Sequence, residues 1–327
     1  MAIQIFRSFD EVRFDSRSVI TVGTFDGLHR GHQAIVDELK KEAQTRQGSA
    51  TVVTFDPHPQ VVLQRPGKPP VQILTATEEK IALLQREQVD RIFVIPFTLE
   101  FSRTPSEIFV RDILQRRVGL QAMVIGHDHG FGKNREGDFA TLQRLGTELG
   151  FAVREAPPFE MNGVTLSSTK IREALLNGEV EKASQYLGRP YTWRGTVERG
   201  EERGRTLGFP TANLRPSDEK KLVPAYGVYA VWVEIENFHQ RRTAEEKKYP
   251  GMMNIGLRPT FEKTARTVEA HLLDFSGDLY GATLNVHFVA RLRSEQKFDL
   301  PQALMAQLQR DKEASSKILL NRDNLWR

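Results

Sequence analysis

Two histidines and three glycines stand close together in VGTFDGLHRGHQAIV, residues 22–36, directly after an apolar run. His29 and His32 are three residues apart with Gly31 between them, and Gly23 marks the end of a predicted strand. A helix that begins just after a strand offers free N–H groups and a positive dipole end to an anion. Glycine lets the backbone approach such a ligand closely. The pattern predicts a phosphate site in which both imidazoles donate to phosphate oxygens.

Other chemistry competes for this stretch on spacing alone. A zinc site needs three or four ligands. The further candidates, His127 and His129, are only two residues apart on either side of Asp128, which is weak evidence for a metal site. A dinucleotide-binding fingerprint is absent, because the glycines do not fit G-x-G-x-x-G. The simplest alternative is a glycine turn whose histidines cap the helix.

A second candidate for phosphate binding is SSTKIR, Ser167–Arg172, which begins a predicted helix. Serine and threonine are ordinary N-cap residues, so a plain helix cap is one interpretation. Lys170 and Arg172 oppose the dipole in the first turn, however, and this favours an anionic ligand at that end.

The stretch GHDHGFGKN follows another predicted strand and only partly resembles a Walker A loop. Five residues separate Gly126 from Gly132 where the motif has four, and Asn134 stands where Ser or Thr binds Mg²⁺. It predicts a glycine-rich loop at the same edge of the sheet.

A magnesium site is indicated by GRTLGFPTANL, residues 204–214. Gly204 and Gly208 predict a flexible loop, and Pro210 stiffens the segment after it. Thr211 and Asn213 share one face of an extended chain, and both carry neutral oxygens of the kind that Mg²⁺ accepts beside water and phosphate. A turn closed by an Asx hydrogen bond is the simpler alternative.

Glu269 in TVEAHLLDF is a carboxylate inside an apolar strand pattern. It alternates with Val268 and Ala270, so its side chain has room to point outward without a function. The alternative is a general base aimed at a ligand hydroxyl.

Strands and helices alternate in the first half of the chain, and they must position the two histidines and the SSTKIR stretch. The predicted strands are SVITVGTF, SATVVTF, DRIFVIPF, AMVIG and FAVREAPP, and the predicted helices are HQAIVDELKKEAQTR, TEEKIALLQREQ, PSEIFVRDILQRRV, DFATLQRLGTELG, STKIREALLNGE and VEKASQYLG. Apolar strands in this alternation predict a parallel sheet with helices on both faces. Ligands of such sheets bind beyond the carboxyl ends of the strands, where the histidines fall.

The second half predicts an antiparallel barrel or sandwich. Short strand-like runs bounded by Gly, Pro and Asp are YTWRGTVERG, YGVYAVWVEIE, KKYPGMMNIGL, TVEAHLLDF and TLNVHFVARLR. NFHQRRTAEEKK reads as a long exposed hairpin loop, and an amphipathic helix closes the chain. The boundary falls near Leu187–Pro190, which gives domains of 1–186 and 187–327.

Composition excludes several classes of protein. The 327 residues suggest two domains, and the absence of cysteine excludes disulfides, thiolate metal sites and cysteine nucleophiles. Neither a signal peptide nor a membrane span is indicated, so a cytoplasmic location is expected. The net charge of +4 is spread among mixed charges, which argues against a nucleic-acid face and suits a small anionic substrate.

The motifs together carry a resemblance that covers essentially the whole chain. GTFDGLHRGH with SSTKIR resembles the nucleotidyltransferases that carry a His-x-Gly-His motif. GRTLGFPTANL, YGVYAV, NIGLRPTF, VEAHLLDF and DLYG resemble, in this order, the riboflavin kinase module. The combination is similar to the prokaryotic bifunctional riboflavin kinase/FAD synthetase family. The fold that this implies is a Rossmann-like α/β domain followed by a small antiparallel β-barrel with a C-terminal helix.

The resemblance implies two ATP-dependent reactions, riboflavin to FMN and FMN to FAD, the second releasing pyrophosphate. In the kinase domain it implies Glu269 as base, Thr211 and Asn213 as Mg²⁺ ligands, and Gly204 and Gly208 over the nucleotide phosphates. In the adenylyltransferase domain it implies that His29 and His32 stabilise the reacting phosphate and that Arg172 holds the leaving phosphates. The remaining implied ATP contacts are Gly23, Phe25, Gly31, Ser168 and Thr169. The implied flavin contacts are Pro57, Pro59, Phe97, Phe101, Asp128 and Arg258, although Phe97 and Phe101 also fit ordinary core packing.

Two other functions are compatible with parts of the pattern. One is an adenylyltransferase for a different acceptor, such as pantetheine phosphate or nicotinamide mononucleotide, which would need no kinase barrel. The other is a barrel that binds RNA or stores flavin, which would show a basic, aromatic strand face. The strands carry no such stripe, so the expected partners are small molecules, with the chain a monomer or weak homo-oligomer.

The chain departs from the family's pattern at two places. His129 and Gly130 separate Asp128 from Phe131 where the family has an aromatic residue directly after the aspartate. The segment 237–248 is longer and more charged than usual. The first departure leaves the flavin or adenine contacts of the glycine-rich loop open.

Overall fold

A computed structural model describes most of the chain as two compact units, Met1–Ser168 and Thr169–Arg327. The described residues are 3–64, 67, 69–126, 132, 137–161, 163–199, 208–236, 248–259 and 264–321, with the backbone alone for 258–259 and 264–265.

The first unit is built on a six-stranded parallel sheet. Its strands are β1 Gln4–Phe6, β2 Ser18–Val22, β3 Ser49–Asp56, β4 Arg91–Pro96, β5 Leu120–Gly126 and β6 Ala152–Ala156. They pair in the order β1-β4-β3-β2-β5-β6, and every neighbouring pair is parallel. The parallel sheet predicted from the apolar runs is confirmed. Strand β1, too short to show a pattern, is an additional edge strand, and β7 Glu160–Met161 pairs with β8 Val164–Thr165 as a separate ribbon.

Helices connect these strands as the apolar periodicity predicts. They are α1 Arg30–Thr45, α2 Pro59–Val62, α3 Thr77–Arg86, α4 Ser106–Ile108 with its π-helical continuation Phe109–Val118, and α5 Phe139–Leu149. A 3₁₀ turn, Phe101–Arg103, precedes α4. The π-helical hydrogen-bond register has no signature in the apolar pattern, which predicts only a helix.

Each face of the sheet carries its own apolar layer, because successive strand residues point to opposite faces. One layer packs α1 and α3 onto the sheet through Val36, Leu39, Ile81, Leu84, Val19, Val52 and Ile92. The other layer packs α4 and α5 through Val110, Leu114, Leu142, Leu145, Ile20, Val53 and Phe93. The two layers fix the sheet and hold the carboxyl ends of β2, β3 and β4 at one edge.

The second unit is a closed antiparallel barrel, which decides between the barrel and the sandwich. Its strands are β9 Tyr191–Glu198, β10 Ala212–Pro216, β11 Gly227–Glu236, β12 Lys248–Pro259, β13 Thr264–Leu272 and β14 Thr283–Arg293. They pair in the order β10-β13-β12-β11-β14-β9, and β9 pairs with β10 to close the ring. The loop expected near 237–248 lies outside the described residues, apart from its last residue.

Helices precede and follow the barrel strands in the chain. They are α6 Ser168–Leu176, whose first residue belongs to the first unit, α7 Val180–Leu187 and α8 Pro301–Asn321. Helix α8 is fixed to the barrel by polar contacts: Arg293 donates to the buried Asp311 carboxylate at 2.9 Å, and Ser315 Oγ donates to the Gly251 carbonyl at 3.0 Å. In the part of the chain that the structure describes, no helix combines the length and the apolar character needed to cross a membrane.

A carboxylate on β11 gives the barrel a pH-dependent contribution to stability. Glu234 lies 3.3 Å from Nε2 of His287 and 3.3 Å from Nζ of Lys248. The hydrogen bond from His287, against the cost of partial burial, lowers the pKa of Glu234 to about 2. A carboxylate with a lowered pKa stabilises the fold above its unfolded pKa, and this stabilisation is lost as the pH falls through the folded value.

We expect Glu234→Gln to lower the free energy of unfolding by about 2 kcal/mol at pH 6, with allowance for solvent screening. The difference from the wild type should shrink steadily below pH 4 in urea titrations. Glu219→Gln, at an exposed position of the same unit, is the control. A loss that stays constant from pH 6 to pH 3 would contradict this account of Glu234.

Candidate active sites

The turn between β2 and α1, residues 23–29, adopts an unusual backbone. Phe25, Gly27 and Leu28 have positive φ angles of 47°, 85° and 34°. Left-handed backbone is uncommon for residues with large side chains and persists where the surroundings hold it. The side chains of Phe25 and Leu28 are almost completely buried, with 2% and 1% of their surface exposed. Core packing therefore holds this turn at the carboxyl end of β2.

A buried carboxylate ties the same turn to the segment before α3. Asp26 accepts the backbone N–H of Leu74 at 2.9 Å and of Thr75 at 3.0 Å, and the Thr75 hydroxyl at 3.2 Å. The Thr75 hydroxyl oxygen in turn accepts the N–H of Gly27 at 3.0 Å. Sequence reasoning missed Asp26, although an aspartate followed by glycine after a strand is a recognisable turn signal.

His29 is the N-cap of α1, and its ring lies against the ring of His32. Its Nδ1 accepts the backbone N–H of His32 at 3.3 Å, and the two rings stack with centroids 3.7 Å apart. A neutral imidazole that accepts at Nδ1 carries its hydrogen on Nε2, so Nε2 of His29 is a donor. The capping interpretation is thus realised for His29, and it is compatible with donation to a phosphate.

Gly31 leaves the space that the His29 ring occupies. A Cβ atom at Gly31 would lie 3.1 Å from Nδ1 and 3.2 Å from Cε1 of His29. Helix α1 begins at Arg30, two residues before the start of the predicted helix HQAIVDELKKEAQTR. The glycine between the two histidines therefore serves ring placement in addition to backbone access.

The SSTKIR stretch reaches the same turn through its serine. Ser168 Oγ donates to the carbonyl oxygen of Asp26 at 2.8 Å. Thr169 and Arg172 follow in α6 and belong to the second compact unit. Their contacts with ATP stay predictions, as do those of Gly23.

Aromatic rings cluster where β3 and β4 end. Phe97 packs against Phe55 at 5.5 Å and against Phe101 at 5.7 Å between centroids. Phe97 is buried and Phe101 half-buried, so the core packing considered above is present. Pro57, joined to Asp56 by a cis peptide bond, and Pro59 at the start of α2 follow β3 directly. Whether these side chains also contact a flavin stays a prediction.

Some predicted residues lie outside the described part of the chain. These are Asp128, Gly204 and the side chain of Arg258, together with His127, His129 and Gly130. Among the described residues, no three His, Cys, Asp or Glu side chains come together as a metal cluster.

Strand register in the barrel brings the second set of predicted residues together. Asn213 on β10 lies opposite Glu269 on β13, and Oγ1 of Thr211 donates to Oε2 of Glu269 at 3.4 Å. Val268 and Ala270 are buried on the other face of β13, as the alternation predicts. The outward face of β13 is therefore shared with Thr211 and Asn213.

Asn254, which sequence reasoning missed, joins this cluster from the other side. It lies on β12 directly opposite Glu269, and opposite residues of an antiparallel pair share a face. The hints in the sequence are that Asn254 is a polar residue within the apolar run GMMNIGL and that it begins the NIGLRPTF stretch. Two amides thus flank one carboxylate, and all three offer oxygen atoms.

A cavity of about 520 Å³ opens beside these residues. Its walls include Gly208, Phe209, Pro210, His271, Phe275 and Lys312. Nδ1 of His271 lies 2.7 Å from the carbonyl oxygen of Pro210, and the His271 ring lies 5.4 Å from that of Phe209. Because a carbonyl oxygen only accepts, Nδ1 carries a hydrogen. Burial, with a smaller effect of Lys312, lowers the pKa of His271.

We expect NMR to show His271 as the Nδ1–H tautomer with a titration midpoint below that of an ordinary histidine. Lys312→Gln should raise this midpoint, because it removes a repelling positive charge. Lys317→Gln, at an exposed position of the same helix, should leave it unchanged. An Nε2–H tautomer at neutral pH would contradict the assigned hydrogen bond.

Comparison with known proteins relates both units to flavin nucleotide enzymes. A family model described as FAD synthetase matches residues 11–170, and one described as riboflavin kinase matches residues 187–319. A bifunctional riboflavin kinase/FMN adenylyltransferase of Escherichia coli (strain K12) is 38% identical over 293 residues, 90% of each chain. The protein of that description from Pseudomonas fluorescens is 37% identical over 94% of this chain and 96% of its own.

A solved structure shares the fold over nearly the whole chain. It is described as a macrolide-efflux protein from Streptococcus pneumoniae, and it covers 96% of this chain and 99% of its own with a TM-score of 0.84 and 31% identity. That description concerns the other protein, whereas both family models and the curated relatives agree with one another. The chain therefore belongs to the bifunctional riboflavin kinase/FMN adenylyltransferase family.

Proposed function

We propose that the barrel unit phosphorylates riboflavin to FMN and that the parallel-sheet unit adenylylates FMN to FAD, each at the site described above. The observation that carries this division is the strand register that brings Thr211, Asn213 and Glu269 together in the barrel. Family membership favours FMN over another acceptor and a kinase barrel over a binding module. We keep the proposed boundary between the two catalytic regions at 186/187.

Glu269 is the general base of the kinase reaction in this proposal. Its carboxylate accepts the proton of the 5′-hydroxyl of riboflavin as that oxygen attacks the γ-phosphorus of ATP, and ADP leaves. A positioned base of this kind contributes about 10²–10⁴-fold to a rate. Thr211, which donates to the same carboxylate, fixes its orientation.

Mg²⁺ fits the chemistry of this donor set. Thr211 and Asn213 would hold it through neutral oxygens, and phosphate oxygens and water would complete its preferred oxygen shell. When bound, the ion would neutralise part of the negative charge of the phosphates. Asn254, on the other side of Glu269, offers a further amide oxygen.

The cavity next to Pro210 is the proposed nucleotide site of the barrel. Its aromatic walls, Phe209 and Phe275, suit a purine ring, and Lys312 brings a positive charge for phosphate. Gly208, with a φ of 79°, starts the described part of the loop that would cover the phosphates, and Gly204 precedes it. Arg258 is retained as a proposed flavin contact.

In the first unit, the phosphate of FMN attacks the α-phosphorus of ATP and pyrophosphate leaves. The Nε2–H of His29 donates to a phosphate oxygen, His32 holds the stacked ring in place, and Arg172 holds the leaving phosphates. Catalysis of this kind needs positioning and charge stabilisation but no covalent enzyme intermediate. The remaining proposed ATP contacts are Gly23, Phe25, Gly31, Ser168 and Thr169.

Pro57, Pro59, Phe97, Phe101 and Asp128 are the proposed flavin contacts of the first unit. An apolar, aromatic wall at the carboxyl ends of β3 and β4 suits an isoalloxazine ring. We place both reactions in the cytoplasm, where ATP is available, and the proposed partners are small molecules alone. We further propose a monomer or a weak homo-oligomer.

The proposal is tested by incubating the purified chain with riboflavin, ATP and Mg²⁺ and separating the flavins by chromatography over time. We expect FMN to appear first and FAD to follow. FMN without FAD would remove the adenylyltransferase assignment. No turnover of riboflavin, and none of supplied FMN, would overturn both assignments.

Two substitutions should separate the reactions. Glu269→Gln is expected to slow FMN formation by about 10²-fold or more because it removes the base, and to leave conversion of supplied FMN to FAD intact. His29→Ala should do the reverse. Glu236→Gln, on β11 of the same barrel, is the matched control. Equal loss of both reactions in either variant would contradict the division between the units.

A further inference from the structure

Lys80 on α3 is a buried cation to which the mechanism above gives no role. Only 4% of its surface is exposed, and its Nζ donates to the carbonyl oxygens of Thr24 at 3.2 Å and Phe55 at 3.0 Å. Lysine is almost never fully buried without partners, because removing an ammonium group from water is costly. The hydrogen bonds to the two carbonyl oxygens therefore offset part of the cost of burying this ammonium group.

The two acceptors belong to different segments of the adenylyltransferase site. Thr24 lies in the turn after β2, five residues before His29. Phe55 lies near the end of β3, two residues before Pro57, and its ring belongs to the aromatic cluster. One ammonium group thus links the backbone of the nucleotide segment to that of the flavin segment.

Acidic groups from each neighbouring segment accompany this link. Asp26 from the turn and Asp56 from β3 attract the ammonium group, but burial outweighs them and lowers the pKa of Lys80 to about 8. On α3 itself, Glu79 accepts the Ala76 N–H at 3.4 Å, and Glu78 pairs with Arg7 on the surface.

The start of α3 reinforces the same connection with neutral donors. Oγ1 of Thr77 donates to Oδ1 of Asp56 at 2.5 Å. The residues just before the helix hold Asp26, as described for Leu74 and Thr75. Helix α3 therefore contacts both segments through polar groups, and Lys80 is the residue that contacts both at once.

We propose that Lys80 is a positioning residue for adenylyl transfer, which sets the distance between the ATP-binding turn and the flavin-binding end of β3 by holding one carbonyl of each. This inference rests on the proposed function of the first unit. A shift of about 1 Å in the reacting groups can cost 10²-fold in rate, so loss of the link should act mainly on kcat. FMN formation in the barrel should not depend on it.

The test compares Lys80→Met with Lys40→Met in the full-length chain. Lys40 is a matched control, because its Nζ also donates to a carbonyl, that of Glu87 at 3.1 Å, yet it lies away from the carboxyl edge of the sheet. With saturating FMN, ATP and Mg²⁺, we expect Lys80→Met to lower kcat for FAD formation at least about tenfold. Riboflavin phosphorylation by the same preparation should stay within about twofold in both variants, which verifies that the second unit is intact.

A pH series on the wild type gives an independent readout and needs no variant that folds poorly. Deprotonation of Lys80 above pH 8 weakens the link, so FAD formation should decline between pH 8 and pH 9.5 while FMN formation does not follow it. Stability should move the other way. As the pH rises, the folded state releases the proton of Lys80 before the unfolded state does. The unfolded state then binds more protons than the folded state, so the wild type becomes more stable as the pH rises.

A residue with a merely structural role would change stability and rate in the same direction. The inference is overturned if the kcat of Lys80→Met for FAD formation stays within about tenfold of that of Lys40→Met. If Lys80→Met does not fold, it is overturned by a wild-type ratio of FAD to FMN formation that stays flat to pH 9.5. A wild type that makes no FAD from FMN would instead overturn the proposed function on which the inference rests.

Discussion

The polar contacts between α3 and the turn after β2 are the constraint on which the first unit's site depends. Phe25 and Leu28 adopt left-handed backbone there, and Asp26 and Lys80 are both buried. Each of these features is unfavourable alone. Together they support one another, since Asp26 accepts the N–H groups before α3 and Lys80 binds the carbonyl of Thr24. The turn can then present His29 as a helix cap whose Nε2 carries a hydrogen. Buried charge in this unit serves mainly to fix backbone.

In the barrel, strand register positions the side chains of the proposed site. Glu269 has Asn213 opposite it on one neighbouring strand and Asn254 on the other. A slip of one residue would move all three side chains to the other face. Closure of the barrel leaves no free edge along which strands could slip, so the register is strongly determined. His271 extends the same face and holds the carbonyl of Pro210, next to Thr211.

Much of this arrangement is readable from the sequence because apolar periodicity and motif spacing are local properties. The parallel strands and the helices between them follow from such patterns, whereas the association of Thr211 and Asn213 with Glu269 is implied only by the family resemblance. The burial of Lys80 cannot be predicted from such patterns, because in TEEKIALLQREQ it resembles a solvated residue at the charged start of a helix. Asn254 and the link from Thr24 to Phe55 depend on contacts between distant segments. The π-helical register after α4 depends on hydrogen bonding that residue types do not encode.

The central claim is that the turn after β2 and the end of β3 are held in the geometry that adenylyl transfer requires. A crystal structure with FMN and an ATP analogue that has a methylene group between its α- and β-phosphorus atoms would test it most directly. The account predicts a phosphate oxygen within about 3 Å of Nε2 of His29. It also predicts that Lys80 still bonds the carbonyls of Thr24 and Phe55. Phosphates bound away from His29, or a turn that rearranges and releases Lys80, would contradict the account.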